Sequence, residues 1–459
     1  MNEQMTKLYS ILSNKEEAFN VNGQIPVWVD THQHPIAEVF ENYEYPVTTW
    51  PVLINREMAN ELNELCVKMP GWLQAIPALY FNNDVKKIAG FYFDGDEVQA
   101  QFALMCHDKK AKVGCRLDLT YTPNGFKVLE VNMGTSIGGW QIQSFEPIIR
   151  QYHPELANNI SSGGYTVIDT QRMYTKFLVD QVLATLGNHL DTVNIFINLA
   201  DLENDPVFQK KSEQFFNNLI TEELARRGLK GGAFTGDISK ITLNNGLLEL
   251  DKRPIHGVII FGATPAANNP EIFRAFIMDK VYFPDHTGLV LLGDKRNLGI
   301  LLELALAGKF SPDDNELIMK HIPWTSSFYD KTVEYDGLDY QLPELLAAYK
   351  DQFVLKHTRG FQGKDVFVGR FTGMEEWNAA LQLALNDKRF IAQEFCDSIN
   401  FMAPNRNNNW TPHKLIWGAF GFGDYYGGVW VRMSEVASGQ GVINSATGAV
   451  EAIVYEYSR

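Results

Sequence analysis

The chain has 459 residues, 45% of them hydrophobic and 21% charged, with a formal net charge of −15. That length exceeds one ordinary core and predicts roughly two to four packed units. The acidic balance works against general attraction to nucleic acid or anionic lipid, and the lack of any run of about 18 apolar residues argues against a membrane span.

The opening "MNEQMTKLYSILSNKEE" lacks the basic-then-apolar layout of a secretory leader, so a cytoplasmic location is expected. Cys66, Cys106, Cys115 and Cys396 show no CxxC spacing and are expected to be mostly buried, reduced thiols. Residues 1–100 form an N-terminal region of mixed helix and coil, with one helix expected over about 55–68. Its "THQHP" sets His32 and His34 two apart; with no obvious third ligand nearby, ordinary loop histidines are expected rather than a metal pair.

From about 165 to 290 strand and helix signals alternate. "TVNIFINLA" (192–200) is an apolar strand, "DPVFQKKSEQFFNNLITEELARRG" a helix ended by Gly228, and "HGVIIFGAT" (256–264) a second buried strand. This predicts an α/β unit like half of a Rossmann fold, without the GxGxxG of a dinucleotide site. Next, "LLGDKRNLGILLELALAG" reads as a strand end running into an apolar helix. "FVLKHTRGFQGKDVFVG" (353–369), "RFIAQEF" (389–395) and "GGVWVRMSEVASGQGVINSATG" (427–448) read as strands joined by glycine-bearing turns, with a helix near 373–386.

"RLDLTYTPNGFKVLEVN" (116–132) reads as a hairpin. Alternation puts Arg116 with Asp118, and Glu130 with Asn132; whether the two pairs share a face depends on register. Pro123-Asn124-Gly125 suits a three-residue loop centred on Asn124, which sets Asp118 opposite Glu130 and Arg116 opposite Asn132. Opposed carboxylates repel, and a divalent cation turns that repulsion into a site. Two carboxylates and an amide oxygen suit Mg²⁺ or Mn²⁺, whose remaining ligands are usually water and phosphate, and Arg116 beside them suits a phosphoryl oxygen. The same residues also fit a solvated amphipathic hairpin.

In "FVLKHTRGFQGKDVFVG" Lys356 ends an apolar strand, and the Gly360–Gly363 loop can turn backbone N–H groups toward an anion. This is a β-loop-β phosphate cover, not a P-loop, and a plain hairpin is its alternative reading. Lys295 reads as a phosphate ligand or a solvated helix start. Glu394, in an apolar strand, needs a partner such as a ribose hydroxyl unless it faces water on an edge strand; Arg432 has the same two readings.

Together these segments resemble the ATP-grasp ligases, and the order, with the acidic hairpin ahead of the lysine loop, resembles the circularly permuted group that includes glutathionylspermidine synthetase. The resemblance covers roughly 116–450, with motif agreement concentrated in about a fifth of those positions. It implies an α/β (α+β) fold: a circularly permuted ATP-grasp core with its metal hairpin in 101–160, a Rossmann-like pre-grasp domain at 161–290, and a nucleotide-binding part at 291–459. It implies Asp118, Glu130 and Asn132 as metal ligands, and Arg116 and Arg432 as catalytic groups. Lys295, Lys356, Gly360, Phe361, Gln362, Gly363, Gln393 and Glu394 would bind the nucleotide. ATP, Mg²⁺, a small-molecule or peptide carboxylate and an amine are the implied cofactors and partners, for amide formation through an acyl phosphate. The rival classes are a metal-dependent phosphatase or hydrolase, and a non-catalytic nucleotide-binding protein on the same fold. The sequence carries no recognisable amidase domain like that fused to some bacterial glutathionylspermidine synthetases.

Overall fold

The computed structural model describes residues 25–153, 165–199, 205–262, 269–358, 365–439 and 441–457. The strands that position the site are, in chain order, β1 (Val52–Ile54), β2 (Gly114–Thr122), β3 (Gly125–Met133), β4 (Thr192–Asn198), β5 (Lys230–Phe234) and β6 (Gly257–Ile260). They continue with β7 (Thr325–Phe328), β8 (Phe353–His357), β9 (Val366–Val368), β10 (Phe390–Glu394), β11 (Phe401–Pro404), β12 (Trp410–Phe422), β13 (Tyr425–Glu435) and β14 (Val450–Tyr457).

An eight-stranded sheet has the order β1-β14-β13-β12-β2-β3, with β11 added beside β12 and the two-residue strand Tyr165–Thr166 beside β14. The early hairpin therefore docks on late strands: β2 runs antiparallel to β12, with Asp118 against Gly418 and Arg116 against Phe420. Strands β6-β4-β5 form a separate three-stranded parallel sheet, and β7-β10-β8-β9 a four-stranded antiparallel one.

The first long helix, Arg56–Leu79, is capped by Asn55, whose side chain accepts from the Met58 N–H. It runs well past the expected end at about 68, through Pro70 and Pro77. Each interior proline costs about 3 kcal/mol. Burial of Met69, Trp72, Leu73 and Ile76 in the main core offsets this at about 1.5–3 kcal/mol per side chain. Two further helices, Val85–Tyr92 and Glu97–Asp108, follow in a stretch where the sequence suggested coil; each begins on an aspartate cap, Asp84 and Asp96.

In the α/β unit the expected helix is Pro206–Arg226, capped by Asp205, and the chain leaves it at Gly228 with φ 70°. A second expectation is corrected. The residues before Lys295 are no strand end but a short helical turn, Val290–Gly293, so Lys295 lies between two helical segments. A four-residue apolar run does not distinguish helix from strand by its period. The helix expected near 373–386 is Met374–Asp387. The cysteines are all free thiols, with Cys66, Cys106 and Cys115 buried. Among the described residues no helix is long and apolar enough to cross a membrane.

Candidate active site

The β2–β3 register sets Asp118 opposite Glu130 and Arg116 opposite Asn132. The route to that register differs from the expected one. Near the turn Thr122 pairs with Gly125, leaving Pro123-Asn124 as a two-residue connection, with Gly125 at φ 92°. Continued unbroken, that register would bring Leu129 opposite Asp118 and turn Glu130 to the other face. A bulge between Asp118 and Leu119 takes up the extra residue, Leu129, and returns Glu130 to the face of Asp118.

Directly opposed residues share a face, so one row crosses four strands: Glu130, Asp118, Gly418 and Trp430. Arg116 and Asn132 flank this row on one side. On the other side Arg432 pairs across the ladder with Glu451. Gly418 has to be glycine, because a Cβ there would stand 2.3 Å from Trp430 Nε1.

Asp118 is gripped by two guanidiniums. Arg116 Nε donates to its Oδ1 at 2.7 Å and Nη2 to its Oδ2 at 3.1 Å, while Arg432 Nη2 donates to Oδ2 at 2.9 Å. Burial raises the Asp118 carboxyl, but the two guanidiniums outweigh it and hold the group at about 2. Arg116 Nη1 also donates to the backbone oxygens of Ile137 and Gly138.

The later chain meets this face at the bulge. Lys356 Nζ donates to Leu129 O at 3.4 Å and to Gln393 Oε1 at 2.6 Å, and Gln393 Nε2 in turn donates to Thr325 Oγ1 at 3.1 Å. Lys295 Nζ lies 3.2 Å from Glu130 Oε1. Lys295 is itself framed by neighbours. Asp294 receives Arg296 Nε and Nη2 at 2.9 and 2.7 Å, and the Arg296 guanidinium stacks 4.1 Å from the Phe91 ring centre. Two cationic side chains thus flank Leu129–Glu130, and burial depresses Lys356 to about 8.

Glu394 is not brought into this cluster. It ends β10 opposite Phe353, one residue out of phase with Gln393, so it faces away from Lys356 toward the Phe353 and Leu355 side of its sheet. Gly360, Phe361, Gln362 and Gly363 lie outside the described residues; the flanking β8 and β9 pair antiparallel, as a β-loop-β element requires. His34 Nε2 meets the Tyr152 hydroxyl at 2.9 Å, remote in sequence from these groups.

Among the described residues no three His, Cys, Asp or Glu side chains cluster as a metal site. The set here has two carboxylates, and its third member is an amide. It suits a hard divalent cation. Asp118 Oδ1 receives a single N–H and keeps a lone pair, and an Asn132 ligand would have to be its amide oxygen, since the buried Nδ2 without a partner among the described residues is a donor.

Sequence reasoning missed Glu451, Trp430 and Gly418. Glu451 is 2% exposed and accepts from Tyr43 Oη at 2.8 Å and Ser445 Oγ at 2.6 Å; burial raises its carboxyl. A signal existed in "AVEAIVY", where a lone acid sits in an apolar strand, the pattern that singled out Glu394.

With strand order and site geometry together, the fold is a mixed α/β one of the ATP-grasp type found in glutathione synthetase-like proteins. The chain is similar over 98% of its length to 97% of a glutathione synthetase-like effector from Globodera pallida in apo form, with a TM-score of 0.58 and 13% identity. A looser likeness, with a TM-score of 0.41 and 13% identity over 86% of this chain and 87% of the other, is to a protein named as a gamma-glutamylcysteine synthetase from Methylobacillus flagellatus; the fold assignment rests on the first. The sequence matches no protein-family profile and no curated protein.

Proposed function

We propose that this protein is an ATP-dependent carboxylate–amine ligase that forms an amide or peptide bond through an acyl phosphate. The observation that carries this reading is the meeting, at Leu129–Glu130, of an early acidic hairpin and two late lysines. In the chain itself these charges offset one another, Asp118 against two guanidiniums and Glu130 against Lys295, and the same cluster fits a polyanion and its metal, which would exchange those ion pairs for contacts of their own. Asp118, Glu130 and Asn132 would hold Mg²⁺ or Mn²⁺, which when bound neutralises phosphate charge. Lys295 and Lys356, with Gln393 fixing Lys356, would meet the nucleotide phosphates, and the Gly360–Gly363 loop would close over them. Residues 161–290 would serve as the pre-grasp unit and 291–459 as the main nucleotide-binding part.

Arg116 and Arg432, both on Asp118, would meet the charge that builds as the substrate carboxylate takes the γ-phosphoryl group. Their work is to orient that group and offset its charge, after which an amine attacks the acyl carbon and phosphate leaves. Excluding water then favours amide formation over hydrolysis.

The test is ADP release and hydroxamate formation from Mg-ATP, with hydroxylamine as a general amine and a panel of free amino acids, γ-glutamyl dipeptides and glutathione as carboxylates. Hydroxamate from one of these, lost in Asp118→Asn and Glu130→Gln proteins that remain folded, is the expected result. Phosphate release that ignores both acid and amine would instead identify a phosphatase, and near-normal turnover in either variant would sink the metal assignment.

A further inference from the structure

Three segments far apart in sequence meet at Asp285, a residue outside the site described above. Its Oδ1 accepts the Thr135 N–H at 2.9 Å, and its Oδ2 accepts the Thr135 hydroxyl at 2.5 Å and the Ile260 N–H at 2.9 Å. Ile260 is the last residue of β6 in the α/β unit, and Thr135 stands two residues past the end of β3. The approach depends on Gly134, whose φ is 110° and where a Cβ would lie 2.9 Å from Asp285 Oδ1. Two and three residues beyond Thr135, the oxygens of Ile137 and Gly138 receive Arg116 Nη1. A continuous chain of contacts thus runs from the end of the parallel sheet through Asp285 and the 134–138 turn to the guanidinium that grips Asp118.

The chemistry at Asp285 calls for a carboxylate. Its three donors are all neutral, so no ion pair explains the acid; what the position needs is two acceptor atoms, one for the Thr135 N–H and one shared by the Thr135 hydroxyl and the Ile260 N–H. An asparagine offers one acceptor and one donor, and in either orientation its amide would point N–H at N–H or at a hydroxyl. Thr135 is itself fully buried and its carbonyl oxygen accepts from the Tyr174 hydroxyl at 3.3 Å, so losing Asp285 as acceptor would leave a buried N–H and hydroxyl without their partner.

We propose that Asp285 is a positioning residue for the ligase reaction: it registers the 134–138 turn, and through it the Arg116 guanidinium, against the end of the α/β unit. This role rests on the ligase reading. Arg116 must point at both Asp118 and the transferring group, and groups that orient such a side chain are commonly worth about 10- to 100-fold in activity.

Full-length Asp285→Asn and Thr135→Val proteins test it. Hydrogen exchange over 134–139, measured without nucleotide, is expected to quicken by about tenfold or more in Asp285→Asn as local opening becomes easier. With Mg-ATP, hydroxylamine and the carboxylate selected by the screen above, kcat should fall about 10- to 100-fold while the half-saturating ATP concentration moves less than about threefold. Thr135→Val keeps the N–H and loses the hydroxyl, so it should shift both readouts the same way by less, and the double variant should be no worse than Asp285→Asn. Wild-type-like exchange and kcat in Asp285→Asn would overturn the proposal, as would a parallel loss of kcat, ATP affinity and melting temperature, which marks a general structural role. Either result in a protein whose wild type ligates leaves the ligase reading standing. A wild type that forms no hydroxamate sinks that reading and the role of Asp285 with it.

Discussion

Lys356 is 8% exposed, and its charge is maintained against burial by Glu130 and Asp118 while Lys295 opposes it. Its folded pKa of about 8 lies below the ordinary 10.5 of a lysine, so two opposite pH effects follow. The folded chain releases the proton before the unfolded chain does, so this group makes folding more favourable as pH rises from about 8 to 10.5. The phosphate-ligand role proposed for it requires the proton, so under that proposal nucleotide affinity should weaken across the same rise. Titration calorimetry with Mg-ADP is expected to show weaker binding as pH climbs through about 8, and Lys356→Arg, whose guanidinium stays charged, should flatten that dependence. Because this group's own linkage favours the fold there, partial unfolding at Lys356 does not account for the loss. Binding that is independent of pH in the wild type would remove Lys356 from the phosphate site.

At the scale of the strand, two one-residue features set the geometry. The Leu129 bulge corrects a register that a two-residue turn would otherwise set one residue out, and it also turns the Leu129 carbonyl to Lys356. Gly418 leaves room in the middle of the sheet for the Trp430 indole, which also passes close to Gly139, where an added Cβ would meet the ring at 2.2 Å. Trp430 has a fused ring and cannot retreat into one glycine's space while filling the other. Gly418→Ala is therefore expected to destabilise the fold by about 1–3 kcal/mol through overpacking, read as a lower urea midpoint with an unchanged slope. Stability equal to the wild type would mean that the indole is not confined between the two glycines.

Across the whole molecule, folding withdraws several histidines from water. Burial lowers His107, His256, His286, His321 and His413 below 6.5, and His286, packed face to face with Phe276 at 5.0 Å, reaches about 4. Below pH 6.5 the unfolded chain binds protons that these rings refuse, so their contribution to stability is complete above about 6.5 and drains away as pH falls toward 4. Each ring inside its window adds a slope of about 1.4 kcal/mol per pH unit. Urea midpoints should consequently drop steeply between about pH 7 and 5, and His286→Phe should make that drop shallower. An identical profile in that variant would show that His286 is not held neutral.

Much of the hairpin was legible because its causes are local. Alternation pairs Arg116 with Asp118 and Glu130 with Asn132, and glycine at 125 marks the turn. The bulge at Leu129 left no mark in composition, so the expected register came out right through a different turn. The segment before Lys295 was misread, since four apolar residues carry no period. What no local rule contains is the docking of residues 114–122 on residues 410–422, almost three hundred positions later, which brings Arg432 to Asp118, or the packing of the separate four-stranded sheet that brings Lys356 to the bulge. Neighbouring residues dictate side-chain direction and turn type, but the choice of partner strand is made by burial of the whole core. Only after that choice does a glutamate such as Glu451, or an aspartate such as Asp285, acquire the donors that define its place.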